Sequence, residues 1–290
     1  MALFIDPPRW PAHGTVFSHL VSDHSLKELY EFAAHVGLHP RSFDEDHFDV
    51  PAELYDHVVQ AGACEVSGTQ LIRLLRTSGL RVPARHRAPA LVSHLDRRWR
   101  ALDPHRVSVG EDLLRMWSEP QRGYHSLVHL FDCLNMVERL GSLEGVGASD
   151  LVRYAVWFHD AVYEGIPGQD EEASADLARK WLEGALGEQV ARLVLLTKNH
   201  QTDPSDIDGA VLIDADLSIL STDHNQYWRY VLNVRKEYAS VPEQQWRHGR
   251  GQVLETLLAK PALFATRTAR RDWETQARSN LEAELSFLRT

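Results

Sequence analysis

Cysteine is scarce: the 290 residues contain two, Cys64 and Cys133, far apart and in different predicted elements. That excludes a disulfide framework and points to a reducing compartment. Long apolar runs are missing too. No window approaches the roughly 18 uninterrupted apolar residues of a spanning helix. The opening Met1-Ala2-Leu3-Phe4-Ile5-Asp6 lacks the basic residues and the apolar length of a secretory signal. A cytoplasmic protein without membrane contact is the expectation. There is no basic excess either: 31 basic against 41 acidic residues give a formal net charge of -10, with no global positive field to hold nucleic acid in bulk. Internal repeats and low-complexity tracts are absent. What is present, 43% hydrophobic and 25% charged residues, is the composition of a globular protein long enough for two cores.

The first 84 residues alternate between short apolar runs and helical patterns. Leu3-Phe4-Ile5 reads as a strand stopped by Asp6-Pro7-Pro8. Ser25-Leu26-Lys27-Glu28 reads as a capping box that opens a helix with Leu29, Ala33 and Val36 on one face. His47 to Val50 and Cys64 to Val66 repeat the pattern, each followed by a helix that ends at a glycine, Gly62 and Gly79. Three strand-then-helix units predict a small α/β domain over residues 1–84 with a mostly parallel sheet. Its seven histidines match no compact ligand spacing on one predicted helix, so they read as a solvated surface. The loop from Asp6 to Gly14, stiff and carrying Arg9, Trp10 and His13, reads either as a ligand site or as packing.

A proline- and arginine-rich stretch, Pro83 to Pro89, places a linker at residues 85–89. From residue 90 to 290 strand alternation is gone and amphipathic patterns run to the end, which predicts an all-helical second domain and a mainly α protein overall.

Within that domain, metal-type ligands recur in apolar surroundings. His125, His129 and Asp132 form one stripe of a predicted helix. Trp157-Phe158-His159-Asp160 ends another, placing an imidazole beside a carboxylate, both good ligands for a divalent cation. Asp214 and Asp216 lie in the most apolar run of the chain, where a carboxylate costs several kcal/mol unless it is paired or metal-bound. Lys198 and His200, at the end of an apolar helix, suit a helix C-terminus or a phosphate contact; Arg247 and Arg250 suit a phosphate or a solvated face. Asp170, Glu171 and Glu172 read first as helix-start charges, with Glu171 the candidate for a supporting role near a metal.

The order His, His-Asp, Asp resembles that of the HD superfamily of metal-dependent phosphohydrolases, and the resemblance covers residues 90–290. It is closest to a bacterial branch with Tyr-His-Asn-like, Phe-His-Asp-Ala-Val-Tyr and Asp-Ala-Asp-Leu motifs. The resemblance implies a helical bundle that holds a divalent ion (Mn, Fe, Co, Ni or Zn) on His129, His159, Asp160 and Asp216. Asp214 would be the fallback ligand or a catalytic carboxylate. It further implies His125 as a proton donor, Glu164 as a water-orienting carboxylate, and Lys198, Arg247 and Arg250 as contacts to a small phosphorylated substrate of the nucleotide class. Ser126 and the Tyr163-Glu164 pair depart from the cyclic nucleotide phosphodiesterase pattern and count against cyclic nucleotides. Residues 6–81 resemble an uncharacterised bacterial domain, through the proline-rich opening, Phe17 to Leu20 and Asp46 to Pro51; no activity comes with that likeness. Two other readings stay open: a nucleotide-sensing regulator without turnover, and a di-iron oxygenase on the same fold. Oligomeric state is left open, a homo-oligomer included.

Overall fold

The computed structural model describes residues 2–166 and 168–289. Contacts divide the chain into two compact units, Met1–Ala84 with His224–Ser240, and Arg85–Asp223 with Val241–Thr290. In chain order the elements begin with strands β1 (Leu3–Ile5), β2 (Trp10–Ala12) and β3 (Thr15–Ser22) and helix α1 (Leu26–His35). Strands β4 (Phe43–Asp44) and β5 (His47–Pro51), helix α2 (Tyr55–Gln60), strand β6 (Cys64–Glu65) and helix α3 (Gly68–Thr77) follow. The remainder is helical: α4 (Ala88–Leu102), α5 (Val107–Trp117), α6 (Leu127–Leu143), α7 (Asp150–Phe158), α8 (Gln169–Leu182), α9 (Gly184–Val194), α10 (Ile207–Asp216), α11 (His224–Glu237), α12 (Glu243–Leu258), α13 (Arg267–Asp272) and α14 (Glu274–Leu288). The protein is therefore mainly α with a small α/β part at its start. No helix among the described residues is long and apolar enough to cross a membrane.

The first unit is built on a sheet of order β4-β5-β3-β1-β6, with β2 paired to β3. The expected parallel sheet is corrected here. β3 lies between β1 and β5 and is antiparallel to both, and only β1 with β6 runs parallel among the described strands. β3 escapes a hydrophobic-alternation reading because its inward positions 18, 20 and 22 are Ser, Leu and Ser, all buried. A buried serine is tolerated where its hydroxyl is engaged: Ser22 Oγ donates to Glu28 Oε2 and accepts from the backbone N–H groups of His24 and Ser25. The expected box at Ser25 is thus half made, since Ser25 Oγ takes the Glu28 N–H while the Glu28 carboxylate turns to Ser22. A complete capping box occurs instead at Ser67 and Gln70, opening α3. The stretch read as a stiff loop contains β2, joined to β3 by His13-Gly14 with φ of 48° and 80°. Two successive positive φ values are those of a type I′ turn, whose twist matches a hairpin.

α11 differs from the expected domain division, which placed it with residues 90–290. It packs on α1, burying Tyr227, Trp228 and Val231. Arg229 donates to the carbonyls of Glu45 and Leu80, and Lys236 to that of Phe43. The sheet's helical cover is therefore completed by a segment far along the chain.

The second unit is all helical. α4 and α5 pair around Trp99, whose indole donates to the Arg106 carbonyl. α6, α7 and α10 pack against one another, and α8 with α9 covers α7. Both cysteines are free, Cys64 exposed and Cys133 buried.

Candidate metal centre

The packing of α6, α7 and α10 brings four side chains to one point. His129 comes from the first turns of α6, His159 caps the C-terminus of α7 with Asp160 next to it, and Asp216 ends α10. Helix C-termini carry partial negative charge, so the two helix ends add to the two carboxylates in favouring a cation. His129 Nε2 lies 3.1 Å from His159 Nε2, 3.3 Å from Asp216 Oδ1 and 3.7 Å from Asp160 Oδ2. His159 Nε2 lies 3.2 Å from Asp160 Oδ2 and 3.8 Å from Asp216 Oδ1. Donors around a divalent ion at about 2.1 Å stand about 3.0 Å apart in octahedral and about 3.4 Å apart in tetrahedral arrangement. The spacing fits an ion at their centre.

The protonation states fit as well. His159 Nδ1 donates to the Val156 carbonyl at 2.8 Å, which leaves Nε2 with its lone pair facing the cluster. His129 Nε2 faces it at 3.1 Å, so a proton on one of the two nitrogens, or a cation between them, must separate the lone pairs. Without a metal, burial opposes a charged His159, yet Asp160 and Asp216 outweigh burial and push its pKa up to about 9. Burial dominates at His129 and lowers its pKa. Burial acts to raise both carboxylates, but His159 beside Asp160, and His129 and His200 beside Asp216, hold them well below the usual range.

The surroundings orient the donors. His200 Nε2 sits 2.9 Å from Asp216 Oδ2, fixing that oxygen and turning Oδ1 toward the histidines. It does so from φ of 51°, a conformation non-glycine residues adopt only when neighbours impose it. Trp117 floors the site, 5.5 Å from the His159 ring, and its indole donates to the Trp157 carbonyl. The His125 ring stacks on Tyr163 at 4.2 Å and meets the His129 ring edge-on at 5.8 Å, so it stands at the rim of the cluster.

Other expected site residues lie elsewhere. Asp214 faces away: its two oxygens accept the backbone N–H groups of Ala265 and Thr266, each at 2.7 Å, which corrects its assignment as a ligand or catalytic group. Arg250 is corrected too, being buried in a two-pronged ion pair with Glu284 that joins α12 to α14. Arg247 bonds Glu243 and the Leu288 carbonyl and lies over Phe287, so it closes the end of α14. Spacing alone could not separate a phosphate-binding arginine from one that joins helices. The Glu164 side chain is exposed, and its backbone N–H donates to Asp170, which also takes the Ile166 N–H and closes that loop. Glu171 accepts the Gly168 N–H, a helix-start role. Lys198 pairs with Glu172, two residues before His200, with its stem against Gly168.

Two residues were missed. Cys133 Sγ stands 3.6 Å from His129 Nε2 within the cluster. The signal was its place four residues after His129, on the same helix face. Arg122, buried, donates to the carbonyls of His125, Asp160 and Ala161 and so ties the His-Asp turn to the start of α6. The signal was a charged residue between two apolar helices, three positions before His125.

A family model described as a protein of unknown function (DUF4031) matches residues 3–78. No curated protein matches the chain, and no solved structure does. The likeness covers strands and helices of the first unit and carries no activity to the second.

Proposed function

We propose that the second unit is a metal-dependent phosphohydrolase of the HD type, acting on a nucleotide or another small phosphorylated metabolite. The observation that carries this reading is the convergence of His129, His159, Asp160 and Asp216 from three helices at spacings that suit one divalent ion. The mixed nitrogen and oxygen set suits Mn, Fe, Co, Ni or Zn. When bound, such an ion polarises a phosphoryl oxygen and lowers the pKa of water beside it.

The chain's own groups supply the rest. Two neutral imidazoles and two carboxylates balance a divalent charge inside an apolar bundle, and their fixed positions avoid reorganisation during reaction. In-line attack of water on phosphorus breaks the bond to the leaving oxygen, which needs a proton. His125, at the rim and held flat by Tyr163, is placed to donate it. Lys198, part of the segment that carries His200, is the cation for the substrate's phosphate charge, exchanging Glu172 for substrate.

The test is phosphate release from a nucleotide panel with Mn, Co, Ni, Fe and Zn supplied in turn. Wild type turns over with at least one pair of metal and substrate, and Asp160→Ala, with unchanged circular dichroism, loses at least about 100-fold in rate, the scale of removing a group that organises the ion. Tight nucleotide binding without release would instead identify a regulator. Iron-dependent oxygen uptake without phosphate release would identify an oxygenase.

A further inference from the structure

The first unit carries its own group of imidazoles and carboxylates, on the sheet rather than in the helices. His47 and Asp49 are two residues apart on β5 and so share a face, and the antiparallel register sets His19 of β3 directly opposite Asp49. His19 Nδ1 is 3.2 Å from Asp6 Oδ2, and His47 Nδ1 is 2.9 Å from Asp46 Oδ1. Both carboxylates are buried and held by further donors. Asp6 accepts the His19 N–H and the Trp10 indole, and Asp46 accepts the Val82 N–H and Arg81. A ring that donates Nδ1–H to a carboxylate keeps its lone pair on Nε2, which is how carboxylates fix metal-binding histidines.

Both Nε2 atoms then face one oxygen. Asp49 Oδ1 is 3.5 Å from His47 Nε2 and 3.9 Å from His19 Nε2, and the three donors lie within 4.8 Å of one another. Around an ion at about 2.1 Å, donor pairs range from about 3.0 Å to about 4.2 Å. The Asp49 side chain is 42% exposed and free to close the small remainder.

We propose that His19, His47 and Asp49 bind a divalent transition-metal ion, so that the segment matching the family of unknown function is a metal-binding unit in its own right. Two imidazoles and one carboxylate select an ion of the zinc, iron, cobalt or nickel kind over calcium or magnesium. Three protein donors leave coordination positions open. The site is of the open kind, suited to an added ligand, unlike a closed structural site with four protein donors. Linear spacing hid it, because His19 reaches His47 and Asp49 across strands.

The test uses the full chain, stripped with chelator and titrated with zinc by calorimetry and by equilibrium dialysis. Wild type binds two equivalents. Asp49→Ala and His19→Gln each bind one, with the circular dichroism of the metal-free protein that of the wild type, and His57→Ala, at an exposed histidine outside the cluster, binds two. Asp160→Ala also binds one, and its combination with Asp49→Ala binds none. Unaltered zinc stoichiometry and affinity in Asp49→Ala and His19→Gln would overturn the inference. A single wild-type equivalent lost in Asp49→Ala and kept in Asp160→Ala would support it while removing the ion from the second unit.

Discussion

Asp214 and Asp216 are separated by one alanine, and a helix turns about 200° over that distance, so they meet different partners. Asp216 faces imidazoles and Asp214 faces the backbone of residues 265 and 266. Burial pushes the Asp214 carboxyl up to about 6, against the pull of its two N–H donors and of the Arg270 charge. A raised carboxyl pKa means the folded protein holds this proton more tightly than the unfolded chain. Its contribution to stability is therefore complete below about pH 4 and lost as pH rises through 6. Relative to Asp214→Asn, wild type should lose about 2–3 kcal/mol between pH 4 and pH 7. Urea unfolding of both proteins at the two pH values measures this, and a constant difference would contradict the assignment. The four converging donors of the second unit are those that the motif order picks out, because each ends or interrupts an apolar run. Cys133, Arg122, His19 and His47 were not legible as members of a site. The local signals of Cys133 and Arg122, a thiol one turn after a histidine and an arginine between apolar helices, are shared with ordinary core residues, and a cross-strand histidine has none.

At the level of elements, helices were easier to read than strands. The amphipathic patterns of α1, α3, α4, α6 and α7 follow from apolar residues at helical spacing, and the starts of α1 and α7 from Ser25 and Ser149. The sheet was read with the wrong sense because β3, its central strand, buries serines and is flanked by a two-residue turn with histidine where asparagine is usual. Helix-to-helix ties were also hidden. Arg250 and Glu284 are buried and joined at 2.7 and 3.0 Å, so truncating the arginine removes the two-pronged partner of an interior carboxylate. Arg250→Ala is expected to cost about 3–5 kcal/mol. Arg250→Met with Glu284→Leu should recover most of that loss, as apolar replacement of buried pairs does. Differential scanning calorimetry checks both, and the phosphate release proposed for the second unit should be unchanged per folded molecule. A rate loss in the double variant, folded and stable, would return Arg250 to the substrate site.

At the level of the whole molecule, the two units are not two consecutive stretches of chain. The first depends on α11, which supplies Trp228 at 0% exposure, with Tyr227 and Val231 beside it. Side chains of that size contribute about 1.5–3 kcal/mol each when buried, so their combined loss equals the entire stability of many domains of 80 residues. A fragment of residues 1–84 should therefore lack a cooperative thermal transition, whereas the same fragment joined by a flexible linker to residues 224–240 should regain one. Cooperative melting of the short fragment would show that the helix is dispensable.

That dependence sets a timetable for synthesis. A sheet whose covering helix is encoded 140 residues later waits, at about 5–20 residues per second, on the order of 10 s for its last piece to leave the ribosome. Over that interval the Tyr30 ring of α1 waits for Trp228, which lies 6.4 Å from it in the folded protein. The helices between residues 85 and 223 emerge before the earliest strands are sealed.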